Sequence, residues 1–255
     1  MRTGSEPIFN VPGVVTALIA LMLITHGARE WALSVAQDNE LLWLFAFVPE
    51  RYELSIIGTG VYPGGVAADV WTFVTYAVLH GSWTHLGLNS VWLLAFGTPV
   101  ARRFGAGRFL LFFAVTAAGG ALAHLAIYSG QRVPMIGASA AISGFMAAAI
   151  RFAFQRGGPL RLGANQDESY RVPALPLIAV LRDSRVMIFL AVWFGLNLLF
   201  GIGSLSIDGG DQAIAWQAHI GGFLAGLLAF ALFDPVRRAG IGGSGRGPDE
   251  KATIH

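Results

Sequence analysis

The chain has 255 residues, 55% of them hydrophobic and only 13% charged, with a formal net charge of +2. A soluble domain usually carries about 25% charged residues, so this composition excludes an ordinary soluble globule, and it equally excludes a disordered chain or a coiled coil. The absence of cysteine excludes disulfides, thiolate metal sites and cysteine nucleophiles, and basic residues that lie beside apolar segments, forming no single patch, argue against a nucleic-acid partner.

What remains is a polytopic, all-α membrane protein. A spanning helix needs about 20 mostly apolar residues, and six segments meet or approach that length: 11–28, 83–101, 109–128, 135–154, 186–202 and 213–233. The first is the weakest, because His26 and Arg29 close it early. Its core, 14–24, also has the length of a signal peptide, with a passable cleavage site at 34–36. Arg2 balanced by Glu6, and Arg29 and Glu30 standing before that site, favour a retained helix.

The stretch 31–81 is long for a structureless loop. Asp38 is expected to cap a short helix through Leu41, Leu42, Trp43, Leu44, Phe45 and Phe47, lying at the outer membrane interface. The loop 156–185 is polar and punctuated by Pro159, Pro173 and Pro176, and the tail is glycine-rich and charged. The expected organisation is therefore a cytoplasmic segment 1–10, a six-helix membrane domain 11–235 and a flexible cytoplasmic tail 236–255. No internal repeat is visible, which counts against the two-half transporter plans.

Six spans put both termini on one side. With that side cytoplasmic, fourteen Lys and Arg fall inside and only Arg29, Arg51 and Arg132 outside. This asymmetry is the positive-inside pattern, and it predicts a multi-pass protein of the cell (inner) membrane with both termini cytoplasmic.

Polar groups inside a bilayer are costly and mark function by default. The candidates are His85, Asn89, His124, Ser139, Ser143, Asn197, Gln217 and His219. Three spans enter from outside carrying His85 and Asn89, Ser139, and His219 at comparable depth, and His85 and Asn89 are four residues apart on one helix face. Ser139 lies in a run of small residues, and Gly222 and Gly226 form a GxxxG on the His219 stripe. Two such faces can pack backbone to backbone, bringing a serine hydroxyl within reach of an imidazole, the pairing of an activated nucleophile and its general base. Free N–H groups at the start of the fourth helix, with Asn89 and His85, could stabilise an oxyanion. No Asp or Glu lies within the last five spans, so the chemistry would be a Ser–His dyad with its second imidazole nitrogen held by something else. No His-Glu-x-x-His is present to suggest zinc. Ser143 is expected to pack, Asn197 to contact a helix or water, His124 to be structural, His26 and His80 to sit at the interface, and Trp193 and Phe194 to face lipid or line an entrance.

The stretch from His80 to His85 and Asn89, the run Gly137-Ala138-Ser139, and the run from Ala218-His219 to Gly222 and Gly226 resemble the rhomboid family of intramembrane serine proteases. The resemblance covers about 71–233, including the segment from Phe96 to Gly105. It implies a six-helix rhomboid-like bundle with a long membrane-associated first loop, cutting transmembrane segments of other membrane proteins without cofactor. It assigns Ser139 as nucleophile, His219 as base, and His85, Asn89 and the backbone of Gly137 and Ser139 as oxyanion donors. It also implies that the fifth helix serves as a lateral gate. Ala140 stands where the family usually has Gly, Ser143 where an aromatic commonly packs on the histidine, and Ala101 where Glu usually precedes the arginine. These departures keep open a catalytically inactive relative that binds membrane helices; a small transporter is the remaining alternative.

Overall fold

The computed structural model describes residues 11–159, 166–202 and 215–236. The expected terminal segment 1–10, most of the tail, and the first two residues of the last predicted span lie outside these. Among the described residues the chain is helical, with no strand and a single antiparallel bridge between Phe47 and Met135.

Helix α1 (Gly13–Trp31) buries Val15, Leu18, Met22 and His26 at helical spacing. At its C-terminal end Arg29 donates to both oxygens of Asp38 and, through Nη1, to the carbonyl of His80 at 2.7 Å. The region expected to be one loop with a short interfacial helix contains two helices, α2 (Val35–Phe45) and α3 (Gly65–Thr75). The α2 cap is Ser34, in a capping box with Gln37, rather than Asp38, which sits in the first turn and is held by Arg29. Arg51 pins this layer together. It is 1% exposed, donates to the carbonyl of Trp43 at 2.7 Å, and reaches Asp69 on α3 at 3.3 Å. Gly64, in the left-handed region at φ 86°, turns the chain into α3 where a Cβ would lie 2.6 Å from Leu44.

The second predicted span is a continuous but irregular path: α4 (Trp83–Trp92), a π turn (Leu93–Gly97) and α5 (Thr98–Phe104). Pro99 has no N–H to give to the carbonyl four residues back, so the α-helical ladder cannot run through this point. After α6 (Ala106–Tyr128) comes the largest departure from expectation. The apolar run 135–154 forms only an 11-residue helix, α7 (Ser139–Ala149), with residues on either side in extended and turn conformations. At 1.5 Å per residue α7 is about 16 Å long, against a hydrocarbon core of about 30 Å. Every residue from Ala140 to Ala149 is buried. Ser139 thus opens a helix recessed into the bundle.

The chain continues through two single-turn helices, α8 (Gln166–Ser169) and α9 (Leu177–Val180), to α10 (Ser184–Ile202) and α11 (Trp216–Phe233). Three of the predicted spans, α1, α6 and α11, are helices long and apolar enough to cross a bilayer, and α10 carries a shorter apolar stretch.

The centre is α7 held between α6 and α11 by small residues. A Cβ on Gly226 would lie 2.5 Å from the carbonyl oxygen of Gly144, and one on Gly120 2.9 Å from that of Ala218. Without a hydrophobic force between helices in lipid, this backbone-level contact supplies the packing. At the opposite end from Arg29, Arg103 on α5 makes a bidentate pair with Asp234 just past α11, both bonds at 2.9 Å, and donates to the carbonyls of Tyr170 and Val172.

Candidate active site

Ser139 is placed by the segment that precedes it. Phe47 and Met135 exchange backbone hydrogen bonds of 3.1 and 2.8 Å, and the N–H of Gly137 donates to the carbonyl of Tyr76 at 3.0 Å. The chain turns at Gly137 with φ +117°, a conformation side-chain-bearing residues rarely adopt. A Cβ there would lie 2.7 Å from His85 Cε1 and Nε2. The glycine therefore brings the His85 ring against the backbone two residues before Ser139. Its own N–H is committed to the carbonyl of Tyr76, whereas the resemblance implies Gly137 as a backbone donor to the oxyanion. The N–H groups of Ser139 and Ala140 open α7, where the first turn has no intrahelical acceptors.

His219 comes from the first turn of α11. Gly222, one turn further on, lies directly against the backbone of Ala140, which sets α11 close enough for His219 Nε2 to lie 2.7 Å from Ser139 Oγ. The second imidazole nitrogen also has a partner: His219 Nδ1 is hydrogen bonded to Asn197 Oδ1 on α10. Asn197, only 8% exposed, directs its amide nitrogen to the carbonyl of Trp193 at 2.8 Å. In the sequence Asn197 stands out as a polar residue in an apolar helix, but nothing local joins it to His219. The usable signal was depth: α10 rises as α11 descends, and both residues sit in the half near the Ser139 end.

Trp193 and Phe194, expected to face lipid or line an entrance, pack on Phe223, with ring centroids 5.5 and 5.8 Å away. Phe223 is one turn below His219 and Trp193 one turn below Asn197, so this aromatic contact sets the register that pairs the two polar residues.

Asn89 is 4% exposed and uses one amide N–H on the carbonyl of His85 at 3.0 Å, leaving a second N–H. The three helices predicted to converge do converge: α4 and α11 both contact α7. Ser143 donates to the carbonyl of Ser139 at 2.7 Å. The methyl of Ala140 points at Gly120, where a Cβ would overlap it, so the departure at position 140 is accommodated across the α6 interface.

His124 is bonded on both nitrogens, to the carbonyl of Val133 at 3.0 Å and to Gln217 at 2.9 Å, and ties α6 to α11. His26 and His80, expected at the interface, are both buried within the protein. His26 sits edge-on to Trp83 with centroids 4.5 Å apart. His80 lies 5.1 Å from the His85 ring, and burial, aided by that neighbouring ring, pushes its pKa down to about 3. The described residues contain no group of three or more His, Cys, Asp or Glu that could hold a metal ion.

The arrangement places a hydroxyl, an imidazole acceptor and several donors around one recessed point, the layout that acyl transfer requires. Comparison with known proteins points the same way. A model described as "Rhomboid domain" matches residues 67–235, which contain the whole cluster. Rhomboid protease GluP of Bacillus subtilis is 29% identical over 161 residues, 63% of this chain and 25% of that protein. Rhomboid protease AarA of Providencia stuartii is 23% identical over 188 residues, covering 69% of this chain and 60% of that one. Rhomboid-related protein 3 of Homo sapiens is 32% identical over 88 residues, 34% and 21% of the respective chains. The chain thus spans between about a fifth and three fifths of the length of these relatives.

Proposed function

The chain belongs to the rhomboid family, whose proteases act on transmembrane proteins in the membrane, and on that premise we propose that it is itself an intramembrane serine endopeptidase. The observation that carries the reading is the 2.7 Å contact between Ser139 Oγ and His219 Nε2 at the mouth of a buried helix. A substrate helix enters from the side, unwinds near the outer face and presents a peptide carbonyl to Ser139. His219 Nε2 takes the hydroxyl proton as Oγ attacks the carbonyl carbon. The oxyanion is met by His85, the second N–H of Asn89 and the first N–H groups of α7. Collapse expels the amine, which receives the proton from the imidazolium. Water, activated by the same His219, then releases the acyl group from Ser139. This second half needs water to reach Ser139 at the start of α7.

The same reading makes 11–235 the membrane domain, with transmembrane proteins and lipid as its partners and no cofactor. Both termini face the cytoplasm across the inner membrane. The distribution of Lys and Arg, fourteen on one side and three on the other, supports this orientation. Because the chain has no cysteine, Ser55→Cys and Arg171→Cys can be probed singly in whole cells with an impermeant maleimide. Ser55→Cys is expected to label and Arg171→Cys to stay protected.

The activity is tested by cleavage of a model transmembrane substrate in proteoliposomes. Ser139→Ala and His219→Ala are each expected to lower cleavage by at least about 10³-fold while remaining folded. Undiminished cleavage by either variant would overturn the dyad. A folded wild-type protein that binds substrate helices without cutting them would place it with inactive, helix-binding relatives.

A further inference from the structure

Asn197 belongs to neither half of the dyad, yet its hydrogen bonds dictate what the dyad can do. The carbonyl of Trp193 can only accept, so the Asn197 group 2.8 Å from it is the amide nitrogen. That leaves Oδ1, which can also only accept, facing His219 Nδ1. Nδ1 must therefore carry the proton. A neutral imidazole has one N–H, so Nε2 holds a lone pair, directed at Ser139 Oγ 2.7 Å away. The chain Trp193 carbonyl, Asn197 amide, His219 imidazole and Ser139 hydroxyl thus has one consistent direction of donation, and it leaves His219 as a base toward the serine.

We infer that Asn197 is a positioning residue, the neutral counterpart of the orienting carboxylate that the spans lack, holding His219 in its Nδ1–H tautomer. The inference rests on the reading of Ser139 and His219 as nucleophile and base. It also has a mechanical side. Asn197 stands on α10, whose Trp193 and Phe194 seat on Phe223 of α11, while Ser139 and His219 belong to the tightly packed pair α7 and α11. The base is therefore held ready only while α10 is seated. As an amide, Asn197 orients the ring without adding a charge to the membrane interior, where an isolated carboxylate would be costly.

The test compares wild type, Asn197→Leu and Asn197→Asp on three readouts: kcat and KM for a transmembrane substrate, thermal unfolding in detergent, and the imidazole 15N resonances. The 15N resonances distinguish Nδ1–H from Nε2–H, with His219 assigned by its loss in His219→Ala. Asn197→Leu is expected to lower kcat at least about 10-fold with KM within about twofold, and to move the His219 resonances away from the Nδ1–H pattern. Asn197→Asp, which keeps an acceptor at the same place, is expected to recover Nδ1–H and most of kcat. Unchanged His219 resonances in Asn197→Leu would overturn the inference, as would a kcat loss that parallels a fall in unfolding temperature and is not rescued by Asp. If the wild-type protein cleaves nothing, the proposed activity fails, and the resonances still decide whether Asn197 sets the tautomer.

Discussion

Gly222 on α11 lies so close to Ala140 on α7 that the first carbon of any side chain at position 222 would overlap the Ala140 carbonyl. Because Ala140 follows Ser139 and Gly222 follows His219 by one turn, the contact fixes the distance between hydroxyl and imidazole. Gly222→Ala is expected to cost about 1–3 kcal/mol, in the range of overpacked cores, and to separate Ser139 from His219. Gly195→Ala on α10, where a Cβ would meet nothing within 4 Å, is the control. Thermal unfolding and substrate cleavage should both fall for Gly222→Ala and neither for Gly195→Ala.

Arg103 and Asp234 join α5 to the end of α11 through two 2.9 Å hydrogen bonds, with both side chains at least nine-tenths buried. Removing one member leaves a buried charge without its partner, which typically costs about 3–5 kcal/mol. Asp234→Ala should therefore lower the unfolding temperature sharply. Asp234→Ala combined with Arg103→Met should lower it less than the single change. Additive losses in this double-mutant cycle would show that the pair is not coupled.

Burial disfavours the charged form of His80, in the turn before α4, and holds its pKa at about 3, well below the ordinary histidine value of the unfolded chain. The folded state thus binds fewer protons than the unfolded state between pH 6.5 and 3, and stability falls as pH drops through that window. His80→Phe should flatten this acid dependence. Unfolding temperatures recorded from pH 7 to pH 4.5 for the two proteins check it; parallel curves would mean that His80 contributes nothing to the slope.

Much of the site is legible in the sequence because its signals are local. Polar residues in apolar runs, the four-residue spacing of His85 and Asn89, and the small residues around Ser139 and Gly222 each follow from one helix. What escapes depends on more than one. The run 135–154 is apolar throughout, so hydropathy cannot register that only its middle is helical: buried turns and buried helix look alike in composition. Helix α3 is too short to announce a span, and it is held by Arg51 reaching Asp69 from elsewhere in the same layer. The bond between Asn197 and His219 depends on how α10 seats on α11, which the Trp193, Phe194 and Phe223 rings decide. The partner of Arg103 lies 131 residues away.

The aromatic contact that seats α10 makes its own prediction. Phe223→Ala removes the ring that meets both Trp193 and Phe194 without substituting Ser139, His219 or Asn197. Cleavage should fall with a loss of the Nδ1–H signature at His219, since Asn197 is no longer held opposite it. Full activity with an unaltered signature would show that the seat of α10 does not govern the base.

Ser139 is proposed as a nucleophile activated by His219. A fluorophosphonate probe reacts with such a serine by forming a phosphorus–oxygen bond at Oγ as fluoride leaves. Incubated with the folded wild-type protein, it should leave a covalent adduct that mass spectrometry maps to the peptide containing Ser139, absent from Ser139→Ala and strongly reduced in His219→Ala. A folded wild-type protein that acquires no adduct, or one whose adduct persists in Ser139→Ala, would contradict the account.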